Sequence, residues 1–188
     1  MSDQLDEDLV ERLNELTPRI VSGTYYRYSS ARREPLSGAG ARAFGGRWNP
    51  RGLFPAIYLA EPKESCAGEA RRAAEALGTS AEVMLEAPFM LHTIEVNEVS
   101  VLDLTTDEAL EHVGLSREDI ADNDHTACRA VGHAAWFLGF QGVLAPSASE
   151  VGFVLAAFEG RLDMRHLRVD QSEPFTPALY STLAPALW

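Results

Sequence analysis

FGGRWNPRGLFPAIYLAEPKESCAGEARRAAEAL, residues 44–77, holds a glycine-punctuated loop, a short apolar strand and an alanine-rich helix in that order. The run PAIYLA at 55–60 is apolar, of strand length and bounded by prolines, and is expected to be a strand. Residues 64–77 are expected to be a helix, with Pro62 near its start. At about 100° per residue, Cys66, Ala70, Ala73 and Leu77 share one apolar face of that helix. Glu69 falls on its edge, whereas Arg71, Arg72 and Glu75 point away. A carboxylate there either pairs with an arginine or is held at a cleft. Upstream, Gly45 and Gly46 allow a tight turn or close approach of a ligand. Arg47 offers a planar donor fork suited to phosphate. Trp48 either stacks on a ring or anchors the loop, and Tyr58 is a core aromatic or a stacking platform.

Working outward, residues 3–16 form a short acidic helix with Leu5, Leu9, Leu13 and Leu16 near one face, expected to lie peripherally. TYYRYS at 24–29 is expected to be a strand, and the polar stretch 32–52 a functional loop. Strands are expected at 89–96 and 99–104, acidic helical material over 106–121, and a largely buried helix at 126–138. Strands at 142–146, 152–158 and 166–170 follow, then a tail, TPALYSTL. Short strands mixed with a few helices indicate a single α+β domain. The spacing does not give the regular alternation of a doubly wound sheet, and neither GxGxxG nor GxxxxGK[ST] is present.

The chain has 188 residues, 46% of them apolar, enough for one core without a staple. Cys66 and Cys128 lack partners at metal-ligand spacing, so they are expected to be buried thiols in a reducing compartment, with no metal bound. The acidic start is unlike a signal peptide, and no apolar run approaches the roughly 18–20 residues that cross a bilayer, so a soluble, cytoplasmic protein is expected. A net charge of −12 argues against direct nucleic-acid binding. Residues 23–60 nevertheless carry a local balance of +5, from six arginines and Glu34, against −17 elsewhere. These arginines form either a solvated, paired face or a site for a small anion such as a nucleotide pyrophosphate.

The order YRY (26–28), GGRWNP (45–50), AIYLAE (56–61), ESCAGEARRA (64–73) and GVLAPSA (142–148) resembles the RES-domain family, the toxins of RES–Xre toxin–antitoxin pairs. The likeness covers about residues 24–180, and segments such as LHTIEV and AVGHAAWFL look especially like its NAD-phosphorolysing mycobacterial members. The resemblance implies a RES domain over 23–188 behind an acidic helical segment, 1–22, with an ADP-ribosyltransferase-like mixed β core flanked by helices. It further implies NAD as substrate, inorganic phosphate as co-substrate, no resident cofactor, and a helix-turn-helix antitoxin of the Xre type as partner. By position it assigns Arg27, Tyr28, Arg47 and Tyr58 to NAD binding, and Glu69 with Arg47 to catalysis. The family serine matches Ser147, whereas the mycobacterial-type pattern puts a hydroxyl at Thr126.

Such a set suits NAD cleavage. Nicotinamide leaves ribose as a neutral molecule from an already cationic state, so no general acid is needed and one carboxylate suffices to stabilise an oxocarbenium-like ribose. Phosphate, water or a protein side chain are all acceptors on this chemistry: phosphorylase, glycohydrolase or ADP-ribosyltransferase. A domain that binds a nucleotide without turning it over, or only binds an antitoxin, is the alternative from another class.

Overall fold

The computed structural model describes residues 5–184. The first two positions of the helix expected at 3–16, and residues 185–188 of the expected domain, lie outside the described residues. The elements run α1 (Glu7–Asn14), β1 (Arg19–Ser30), α2 (Ala39–Phe44), β2 (Ala56–Glu61), α3 (Glu64–Ala76), α4 (Ala81–Met84) and β3 (Phe89–Asp103). They continue through α5 (Asp107–His112), α6 (Arg117–Ala121), α7 (Thr126–Phe137), β4 (Gly142–Pro146), β5 (Phe153–Phe158), a 3-10 turn, β6 (Leu167–Pro174) and α8 (Pro177–Leu183). This is the α+β class expected from the sequence.

The strands pair in the order β1-β2-β5-β4-β3-β6, and β1 also pairs with β3, so five strands close on themselves with β6 added outside. β3 makes this possible. Its first half pairs β1 on one edge and β6 on the other, and its last residues exchange β6 for a parallel contact with β4. Side chains alternate accordingly. Ile57, Leu59, Leu144 and Leu155 fill the space between the closed strands. Tyr58, Val143, Ala145 and Ala156 face a second core built with α1, α7, Trp48 and Phe54. Ala60 joins a third with α3, α4 and α8.

Several sequence expectations are corrected. The strands expected at 89–96 and 99–104 are one strand, because β1 continues past the polar Asn97–Glu98 step through a bulge. Glu98 takes φ 51 there, and its N–H donates to Ser22 Oγ at 2.8 Å. β1 starts at Arg19, five residues before the strand expected at 24–29. Helix α1 is not peripheral, since Leu9 and Leu13 are buried in the core shared with α7. The tail is helix α8, started by Thr176, whose side chain accepts from Leu179 N–H, with Pro177 in the first turn. The long loop contains α2, which buries none of its residues. Leu77 is exposed because α3 ends at Ala76; the buried face is Cys66, Ala67, Ala70 and Ala74. Both thiols are buried and free, as expected.

Candidate active site

A cavity of about 370 Å³ opens between β1, the 45–50 loop, α3 and the end of β4, lined by Arg27, Tyr28, Arg47, Tyr58, Glu69 and His125 among others. Residues far apart in the chain, from Tyr26 to Val154, thus meet in one place.

The 45–50 loop is shaped by Tyr58. The Tyr58 hydroxyl donates to Asn49 Oδ1 at 2.8 Å and accepts from the Trp48 N–H at 2.9 Å. Asn49, fully buried, donates to the carbonyls of Ala41 and Phe54. A Cβ on Gly46 would overlap the Tyr58 hydroxyl, which is why glycine stands there. Gly132 of α7 likewise lets the helix backbone meet the Trp48 carbonyl. Of the two roles open to Trp48, anchoring is the one it fills: the side chain is buried in the core. Burial pushes the Tyr58 phenol well above its ordinary pKa, against the opposing pull of the Trp48 N–H and Arg47.

Among the described residues Glu69 forms no ion pair with an arginine. Its Oε1 accepts a 2.7 Å hydrogen bond from Ser147 Oγ, the residue just beyond β4. Ser147 is buried and its Oγ also meets Ser149 Oγ at 2.8 Å and the Ser149 N–H at 3.1 Å. Tyr28 stands beside them, its ring packed on Phe89 and Phe175 at 5.9 and 5.5 Å between centroids. Burial, then Glu69 and Cys66, raises the Tyr28 phenol. Burial and Glu69 also raise the Cys66 thiol, leaving it protonated and unreactive. Thr126 is elsewhere: it is exposed, its hydroxyl donates to Asp124 at 2.7 Å, and it does not line the cavity.

Arg27 donates to the carbonyls of Pro35 and Ser37 at 2.9 and 3.0 Å, which ties the loop after β1 to the cavity wall. Burial, then Arg33, lowers its pKa, and the guanidinium remains charged. Its cross-strand partner on β3 is His92, buried between Ser29 at 3.0 Å and Ser172 at 2.8 Å. Burial and the Arg27 charge lower the His92 pKa, so it adds no repulsion to Arg27 at neutral pH. Arg47 donates to the carbonyls of Asp119 and Asp122 at 3.3 and 2.9 Å. Among the described residues neither arginine is ion-paired with a carboxylate, and each uses only part of its donor fork. That arrangement holds two positive charges in place for an anion.

Sequence reasoning missed His125, Arg72 and Arg129. Arg129 donates from Nε to the Gly46 carbonyl at 2.9 Å, and Arg72 to the Ala121 carbonyl at 3.0 Å. His125 begins α7 and lines the cavity near all three cations. Nothing local in the sequence marks it, since Arg47 and Arg72 come from other elements. No group of side chains suited to a metal ion is found among the described residues.

The family model for the RES domain matches residues 18–178. Curated relatives named NAD(+) phosphorylase MbcT, from Mycobacterium bovis and Mycobacterium tuberculosis, are 55% identical over 183 residues, covering 97% of this chain and 98% of theirs. The crystal structure of the M. tuberculosis MbcT-MbcA toxin-antitoxin complex contains a chain 53% identical to this one. It superposes with a TM-score of 0.91, covering 97% of this chain and 100% of that one.

Proposed function

The chain belongs to the RES-domain family, and on that premise we propose that it is an NAD-degrading toxin of a toxin–antitoxin pair, cleaving the nicotinamide–ribose bond by phosphorolysis. The observation that carries this reading is Glu69, its carboxylate held by a hydrogen bond from Ser147, in a cavity also lined by Arg27 and Arg47. A carboxylate fixed by a buried serine is what an oxocarbenium-like ribose requires, and unpaired guanidinium groups are what a pyrophosphate requires.

In this reading Glu69 faces the anomeric carbon and stabilises the positive charge that develops as nicotinamide departs. Ser147 orients the carboxylate and is a positioning residue. Tyr28 packs on the nicotinamide ring, and Tyr58 lines the cavity while holding the loop that carries Arg47. Arg27 and Arg47 grip the pyrophosphate through their remaining donors. NAD is the substrate, inorganic phosphate the co-substrate, and the chemistry calls for no resident cofactor. The partner is an antitoxin of the Xre helix-turn-helix type, and the site of action is the cytoplasm. No helix among the described residues is long and apolar enough to cross a membrane.

Incubation of the purified protein with NAD and phosphate, with products resolved by mass, tests this directly. Nicotinamide with ADP-ribose-1″-phosphate is the expected outcome. ADP-ribose instead would make the protein a glycohydrolase, and no nicotinamide at all would make it a binding domain. Glu69→Gln should keep NAD binding but lose turnover on the order of 100-fold or more, since the isostere removes charge and little volume. Turnover at the wild-type rate would remove Glu69 from the chemistry.

A further inference from the structure

The cavity has a second cationic region besides Arg27. Arg47 lines it from the 45–50 loop, and Arg129 on α7 and Arg72 on α3 stand close enough to His125 to act on its charge, each of the three fixed by a hydrogen bond to a backbone carbonyl. None of the three is ion-paired with a carboxylate among the described residues. The N-terminal end of the twelve-residue helix α7 adds positive potential at the same place. Within this field stands His125, which lines the cavity; its carbonyl accepts from the Arg129 N–H at 2.8 Å, and its ring makes no hydrogen bond to any described residue. The neighbouring Asp124 carboxylate is occupied by the Thr126 N–H and hydroxyl at 2.9 and 2.7 Å. Burial, then Arg47, Arg129 and Arg72, lower the His125 pKa to about 4, so the ring is neutral at physiological pH.

A neutral imidazole keeps a lone pair, and a lone pair among cations suits an anion that carries a proton of its own. The pyrophosphate of NAD is esterified at both ends and carries none at neutral pH. Inorganic phosphate does. We propose that His125, flanked by Arg47 and Arg129, forms the subsite for the phosphate acceptor, separate from the NAD pyrophosphate, with Arg47 the one cation that serves both. This rests on the phosphorolysis reading above. His125 accepts the P–OH proton as a hydrogen bond while the two arginines hold the charged oxygens. One of those unprotonated oxygens forms the new bond to the anomeric carbon. The C–N bond pair leaves with nicotinamide, and the proton stays on phosphate.

The test is a two-substrate steady-state analysis of nicotinamide release. His125→Leu should raise the KM for phosphate about tenfold, the worth of one such hydrogen bond, and move the KM for NAD less than about threefold. His125→Gln, whose amide carbonyl accepts a hydrogen bond, should recover part of the loss. A phosphate KM unchanged in the Leu variant, or a rise confined to NAD, would overturn the assignment and leave phosphorolysis standing. A measurement on the wild type needs no variant to fold: ADP, which carries the pyrophosphate, should compete with NAD and not with phosphate. Competition of ADP with phosphate would mean one shared anion site and would also overturn the assignment. Nicotinamide release by the wild type that ignores phosphate altogether would instead sink the phosphorolysis reading, and this subsite with it.

Discussion

Tyr58 shows how a residue serves the site without its polar atom facing a ligand. Its hydroxyl is spent on Asn49 and Trp48, so its effect passes through the loop that carries Arg47. Tyr58→Phe leaves the Trp48 N–H and the Asn49 side-chain Oδ1 without their partner. A loss of about 1–3 kcal/mol is expected in thermal or denaturant unfolding, together with a higher KM for NAD. Unchanged stability would mean that water replaces both bonds. His125 makes a separate, pH-dependent claim. Its folded pKa of about 4 lies below the ordinary 6.5, so between these values the unfolded chain binds a proton that the folded chain does not. Stability should therefore fall as pH drops from about 6.5 towards 4. With solvent reaching part of the ring, the loss is on the order of 1–2 kcal/mol. His125→Gln should remove this slope. Asp103 acts in a lower window: hydrogen bonds from Arg19 and Thr105 outweigh its burial and hold its pKa below 3.8. A slope that persists unchanged in the Gln variant would assign the titration to another group, such as His92.

Among the elements, α7 and the 45–50 loop behave as one unit. Gly132 on α7 touches the Trp48 carbonyl, and Arg129, a turn away, donates to Gly46. Helix and loop therefore fix each other, and His125 at the head of the helix is placed by the same contact. Gly132→Ala puts a methyl group into the Trp48 carbonyl, where rigid backbone stands on both sides. A helix interior would ordinarily gain from this change, by about 1 kcal/mol. Here the overlap should reverse the sign and cost roughly 2 kcal/mol or more, read as a lower melting temperature. A stabilised variant would show that the helix and loop can part without penalty. The closed sheet supplies the other wall. Because Ile57 and Leu59 point inward, Tyr58 between them must point outward, towards the loop.

For the whole molecule, the charge of −12 is uneven, and the region from 23 to 60 alone carries +5. Arg32, Arg33, Arg42 and Arg51 from this region are exposed, on a chain whose other residues carry −17. A small anionic substrate is drawn to one place, whereas a long polyanion meets repulsion over the remaining surface. An unregulated NAD-degrading site would drain a central cofactor. Expression of the wild-type chain alone should therefore arrest host growth and lower intracellular NAD, and Glu69→Gln should relieve both. Equal growth of the two strains with NAD unchanged would end the toxin reading, even with NAD cleavage in the tube.

The residues themselves determined the α+β class, the strand at 55–60 and the helices beginning at Glu64 and Thr126, because these depend on apolar runs and local start signals. Family resemblance added the order of the site motifs. The tail helix is also legible in principle, through the start signal Thr176–Pro177. The sheet closure, the bulge that joins two expected strands and the burial of α1 depend on contacts between distant segments, which leave no periodic trace. The same holds for the site. Glu69 was legible as a carboxylate on an apolar edge, yet its two readings, ion pair or cleft residue, could not be separated along the chain. Only the fold brings Ser147 across 78 positions to meet it and leaves Thr126 in solvent. Only the fold surrounds His125 with Arg47, Arg72 and Arg129, since a charge field is set by distance in space and not by order in sequence.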